Sequence, residues 1–157
     1  MAGKEKKPNL AQMPLIFSDF EAAEELAVKL IRKHHPDLST ARIKYICRNK
    51  AKKRGGNPVP GHVYKMSPIY MFLTESDYVV EIALDVWNYF NPHQRNAVID
   101  HLLTRCYGEE NEQTGDMKWK IRPPDIQEFT EVAERFGQWH EGLVEMEKCL
   151  RKRQSVS

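Results

Sequence analysis

The stretch from Asp77 to Cys106, DYVVEIALDVWNYFNPHQRNAVIDHLLTRC, changes its periodicity twice, and those changes decide the fold. Asp77 to Leu84 gathers Val79, Val80 and Ile82 in one short run, which predicts a strand. From Asp85 the apolar positions become Val86, Trp87, Tyr89 and Phe90, a spacing that suits a short helical turn. Asn91-Pro92 then punctuates the chain. Proline at a first helical position gives up no hydrogen bond, so Pro92 opens a helix from His93 to about Cys106. On that helix Val98, Leu102 and Cys106 share a line, with Ile99 and Leu103 beside it.

Upstream, Ser18 reads as an N-cap with Glu21 completing a capping box. The helix it would open, Phe20 to Arg32, sets Phe20, Ala23, Ala27, Leu30 and Ile31 at helical spacing and is ended by His34-His35-Pro36. Arg42 to Cys47 alternates and predicts a strand, with Ile43, Tyr45 and Cys47 on one face. His62 to Met66 predicts a second strand. The two are expected to form a hairpin whose long tip is the basic segment Arg48 to Arg54, closed by Gly55-Gly56. Downstream, Tyr107 to Asp116 reads as an acidic surface loop. Pro123-Pro124-Asp125 then starts a helix carrying Ile126, Phe129, Val132, Ala133 and Phe136, with Gly137 as its break. A further amphipathic stretch runs from Leu143 to Leu150. The expected organisation is a mobile basic N-terminus over 1–13, one α+β domain over 14–150 and a basic tail over 151–157.

A formal charge of +2 is too small to oblige a nucleic-acid partner, and it excludes an acidic mimic of DNA. Cys47, Cys106 and Cys149 are odd in number and never in CxxC spacing, which reads as reduced thiols in a cytoplasmic protein. No run approaches the roughly 18 apolar residues of a membrane span, and no export signal is read at the N-terminus.

A helix-borne zinc hydrolase uses His-Glu-x-x-His: two imidazoles four residues apart reach one metal, and the glutamate serves as base toward its water. Here the central helix reads Asp100-His-Leu-Leu-Thr-Arg-Cys106. Other elements lie around it. They are Gly61 with Val63, Tyr64, Lys65 and Met66; Asp77 to Ile82 with Trp87; Gln94-Arg95; and Asp125-Ile-Gln-Glu-Phe129 running to Gly137-Gln-Trp139. In order and spacing this set resembles the phage metallopeptidase family, from about the first helix to Trp139. The resemblance implies a small zincin-like fold. That fold has an N-terminal helix, a three- or four-stranded mainly antiparallel sheet, a central helix and C-terminal helices. It also implies His-Glu-Leu-x-His on the central helix and a further histidine just before Asp-x-x-Glu-Phe.

Carried over by position, the first ligand falls on His101, the base on Leu102, the second ligand on Arg105 and the third on Pro124, beside Asp125. Leucine takes no proton, arginine stays charged and repels a cation, and proline offers no ligand. His101 and Cys106 diverge by about 140° around a helix, and His34, His35, His62, His93 and His140 stand on other elements. No metal, no cofactor and no catalytic residue is therefore expected. Arg105 is hypothesised to set its guanidinium where the metal would lie, paired with Asp100, Asp125 or Glu128; the alternative is that it points to water.

Three other surfaces invite a partner. Arg48, Lys50, Lys52, Lys53 and Arg54 suggest phosphate contact, but no aromatic residues are interleaved for base stacking. Pro68 to Leu73, with Ile69, Tyr70, Met71 and Phe72, reads first as a buried connection and alternatively as an exposed partner surface. Leu143, Met146 and Leu150 make a narrow stripe that packs on its own domain or mediates a homodimer. The expected function is a non-catalytic, phage-encoded accessory protein that binds and inhibits a host nuclease, defence protein or transcription factor in the cytoplasm of the infected cell. Its rivals are a nucleic-acid-binding accessory protein and a metal-dependent hydrolase with an unorthodox site.

Overall fold

Every residue of one strand, Tyr78–Ala83, is buried. A strand hidden on both faces needs a neighbour on each edge, and that requirement organises the sheet. The computed structural model, which describes residues 12–156, supplies those neighbours. Numbered along the chain, the strands are β1 (Phe17–Asp19), β2 (Ile43–Arg48), the two-residue pair β3 (Lys53–Arg54) and β4 (Asn57–Pro58), β5 (Gly61–Lys65) and β6 (Tyr78–Ala83). The main sheet has the order β1-β2-β6-β5. β2 runs parallel to β6 from Ile43↔Tyr78 to Arg48↔Ala83, while β5 pairs antiparallel from Gly61↔Ile82 to Lys65↔Tyr78. The sheet is four-stranded and mainly antiparallel, as expected. The expected hairpin is not formed, because β6 inserts between β2 and β5 and takes the most protected place. The basic segment therefore bridges over β6 instead of capping a hairpin.

Alternation along these strands sends Tyr45, Val63, Tyr78, Val80 and Ile82 to one face. Helices α1 (Glu21–His34) and α4 (Pro92–Thr104) cover it, α1 through Ala23 and Ala27 and α4 through Ile99, Leu102 and Leu103. The start of α1 departs from expectation. Ser18 lies in β1 opposite Cys47, and Phe20 takes the cap position without a side-chain bond. Phe20 instead donates its N–H to the Tyr45 carbonyl at 3.0 Å and sets its ring edge-on to Trp87, 5.2 Å between centroids. Strand pairing has outcompeted the capping box. At α4 the box is complete: Asn91 Oδ1 accepts from the Gln94 N–H and Gln94 Oε1 from the Asn91 N–H. A short turn, α3 (Leu84–Trp87), leads into it.

Residues 106–121 correct a second expectation. In place of a simple loop, β7 (Cys106–Glu110) and β8 (Met117–Ile121) form an antiparallel hairpin. The fully buried Tyr78 anchors it, its hydroxyl lying 2.5 Å from the Lys120 carbonyl and 3.1 Å from that of Tyr107. A third correction concerns α2 (Pro68–Thr74), which connects β5 to β6 with no residue buried.

The chain gathers into two compact units divided between Arg122 and Pro123, a boundary inside the range read from sequence as one domain. In the second unit the helix expected from Pro123 begins only at Thr130, as α5 (Thr130–Phe136), with Phe129 in extended conformation at its cap. Gly137, at φ 62°, ends it. Helix α6 (Glu141–Val156) takes in most of the expected tail, with Arg151–Glu147 and Lys148–Glu145 pairs on its surface. The expectation for the N-terminus falls, up to residue 11, outside the described residues.

Candidate functional site

The last turns of α4 carry the positions where the resemblance implies metal chemistry. His101 faces solvent, whereas Leu102 is 2% exposed. A Cβ built on Gly61 of β5 would stand 2.9 Å from Leu102 Cδ1 and 2.9 Å from the Glu81 carbonyl oxygen. Only glycine allows helix and edge strand to come so close there, and Leu102 seals the contact. Arg105, the residue after α4, donates from Nε to the Arg122 carbonyl at 3.2 Å, while Arg122 returns its N–H to Arg105 and its Nε to Thr104. Arg122 thus closes the last carbonyls of the helix, and Arg105 holds Arg122 in place. Arg105 does not pair with Asp100, whose Oδ1 instead lies 2.6 Å from His35 Nε2. Pro124 and Asp125 are exposed residues of the second unit, where Glu128 accepts from Trp139 Nε1 at 3.1 Å.

The zinc ion that the resemblance implies does not fit these residues. Among the described residues no three His, Cys, Asp or Glu side chains lie close enough to share an ion. Cys106 is buried, and that burial pushes its thiol up to about 12, far from a thiolate ligand or nucleophile at neutral pH.

The five basic residues of the 48–54 segment are divided among different tasks. Arg48 is buried, bonding the Lys50 carbonyl through Nε at 2.6 Å and Glu81 through Nη1 at 3.4 Å. Lys50 Nζ is held 2.8 Å from the Met13 carbonyl. Lys52 Nζ lies 2.5 Å from the Tyr64 hydroxyl, which in turn donates to Glu81 at 3.3 Å. Lys53 and Arg54 alone lie on exposed strand positions, in β3. The Arg48–Glu81 pair was missed from sequence, although a glutamate inside an otherwise apolar strand requires a partner.

Near this pair, His62 is held below the ordinary histidine value. Burial is the main cause, followed by the charges of Lys52 and Arg105, with Glu81 opposing and Arg54 adding a smaller push.

Helix α2 is the apolar surface. Ile69, Tyr70, Phe72 and Leu73 are 66%, 56%, 82% and 65% exposed, Met71 is half-buried, and the helix carries no charge. The reading of this stretch as a buried connection is thus overturned. In the second unit Leu143 is half-buried, while Met146 and Leu150 are exposed. A groove of about 540 Å³ between α1 and β2, lined by Val28, Ile31, Leu38, Ile43 and Tyr45, had no signal in the sequence. Among the described residues no helix is long and apolar enough to cross a membrane.

No curated protein and no solved structure matches the chain. A family model does, over residues 16–152, the span that holds the four-stranded sheet, the sealed central helix and both C-terminal helices up to Lys152. By that match the chain belongs to the family described as putative phage metallopeptidase.

Proposed function

We propose that this family member is a non-catalytic, phage-encoded accessory protein that binds a host protein and inhibits it. The observation that carries the non-catalytic half is Leu102. The position implied for a general base holds an apolar side chain closed between α4 and Gly61, where no water or substrate reaches it. Arg105 supports the same reading, since a permanently charged guanidinium stands at the position implied for a second metal ligand. The binding half rests on α2, where four large apolar side chains are offered to solvent on one uncharged helix.

The test is a stoichiometric complex with a purified host nuclease, defence protein or transcription factor that survives gel filtration. Phe72→Asp is expected to abolish it while leaving the melting temperature within about 1 °C, because a surface substitution changes stability little. A wild-type protein that retains no such partner, or a complex indifferent to Phe72→Asp, would overturn the reading.

A further inference from the structure

The main sheet ends on one side at β1, and among the described residues no strand pairs beyond it. The apolar residues that lead into this strand and open it, Leu15, Ile16 and Phe17, are 42%, 52% and 51% exposed. Edge strands are ordinarily guarded by charged side chains, a bulge or a covering segment. From Leu15 to Ser18 there is no charge at all; Pro14 and the turn into α1 only set the limits of the edge.

The bonds toward β2 fix where each main-chain group of the edge points. The Ile16 carbonyl accepts from the Asn49 N–H at 3.1 Å, Ser18 stands opposite Cys47, and the Phe20 N–H reaches the Tyr45 carbonyl at 3.0 Å. Residues 16, 18 and 20 thus turn inward, and the alternation of an antiparallel ladder turns the N–H and C=O of Leu15, Phe17 and Asp19 outward. The segment is held in this pose from its inner side alone. Asn49 Oδ1 accepts from the Ile16 N–H and Asn49 Nδ2 donates to the Pro14 carbonyl, each at 2.9 Å, and Lys50 Nζ holds the Met13 carbonyl at 2.8 Å. The Phe17 ring lies under the buried Arg48 guanidinium, 5.9 Å from its centroid. An edge already extended and pinned loses little freedom when a further strand joins it.

We propose that this edge pairs with the same edge of a second copy of the chain, antiparallel and centred on Phe17, so that two sheets join into one. In that register Phe17 faces its counterpart and Leu15 faces Asp19, and the outward N–H and C=O of all three residues find partners. No other antiparallel register of the segment with itself pairs all three. Charge favours a second copy as the occupant. Reversal carries Asp19 and Glu21 of each copy to the end where the other holds Lys50 at the Met13 carbonyl, so opposite charges meet on both sides of the axis. It also sets Asp19 opposite Leu15, which keeps the two Asp19 carboxylates apart, while the two Phe17 rings meet at the centre. A two-fold contact of this kind uses the edge up and stops at a dimer. So short an edge makes a small interface, of the class that associates weakly, and the dimer forms as concentration rises. It needs no host protein and stands or falls separately from the function proposed above.

The experiment is analytical ultracentrifugation of the full chain from roughly 10 μM to 1 mM, the range in which weak interfaces assemble, beside amide hydrogen exchange by NMR over the same range. A monomer–dimer equilibrium is expected. The Phe17 amide should exchange more slowly as the dimer forms, whereas the Ile16 amide, already bonded to Asn49, should not change. Phe17→Lys sets two ammonium groups face to face across the axis and should abolish the dimer, with the melting temperature of the dilute protein unchanged; Phe17→Tyr should retain it. Leu150→Asp, on the α6 stripe, should leave the dimer intact. In a Cys149→Ser background, Phe17→Cys should oxidise to a linked dimer and the exposed Tyr89→Cys should not. A chain monomeric throughout the range, a dimer that survives Phe17→Lys or is lost in Leu150→Asp, or equal slowing at Ile16 and Phe17 would overturn the proposal. So would a monomer whose complex with a host protein is lost in Phe17→Lys, which would give this edge to that partner.

Discussion

Leu102 is held between two backbones, that of its own helix and that of Gly61 at the edge of the sheet. A glutamate there would have to leave its carboxylate unpaired in the core or force the helix off β5. Leu102→Glu is therefore expected to lower stability by about 3 kcal/mol, and Leu102→Met by less than about 1.5 kcal/mol, both read by urea denaturation. A cost under about 1 kcal/mol for the glutamate would show that the position is open. This burial was legible from sequence, because Leu102 falls on one helical line with Val98 and Cys106. The partner of Glu81 was not. Arg48 lies 33 residues away, and only the parallel pairing of β2 with β6 brings the two together.

His62 gives a second test at this scale. Its folded value lies below the ordinary 6.5, so the unfolded chain takes up the proton first. The stability linked to it is fully present above that value and is lost as pH falls from there through the folded value. Between about pH 7.5 and pH 5.5 the wild type should lose more melting temperature than His62→Gln. Parallel losses would mean that His62 is not the group concerned.

Among the elements, those with strong internal periodicity were readable and those that depend on long-range pairing were not. α1, β6 and α4 follow from apolar spacing alone. The β7–β8 hairpin was taken for a loop because acidic, turn-forming residues dominate 109–116, and they masked the alternation of Met117, Trp119 and Ile121. That hairpin depends on Gly108, where an added Cβ would meet Met117 Cε at 2.5 Å and the Trp119 ring at 2.6 Å. Gly108→Ala is expected to cost about 1–3 kcal/mol through that overpacking, and to weaken hydrogen-exchange protection across β7 and β8 before the main sheet. Unchanged protection there would show that Trp119 can move aside. The exposure of α2 was also beyond the sequence. An uncharged apolar run looks the same whether it crosses a core or stands out from it, and only the neighbouring strands decide.

For the whole molecule, the buried cluster that defines the core is built from residues of the first unit, from Ala23 to Cys106. The scaffold is thus held by α1, α4 and the sheet. Likeness in the order of the elements could be read from the sequence and is matched by the family. At the positions where the resemblance implies metal chemistry the sequence showed only substitutions, whereas the structure shows their packing: Leu102 joins the core, and Arg105 binds Arg122, which closes the end of α4. We propose that this scaffold has kept its fold without zinc chemistry. The most direct test is the zinc content of the native protein by mass spectrometry, measured beside its melting curve with and without a chelator. No stoichiometric zinc and superimposable melts are expected. One equivalent of zinc with a chelator-sensitive melt would contradict it.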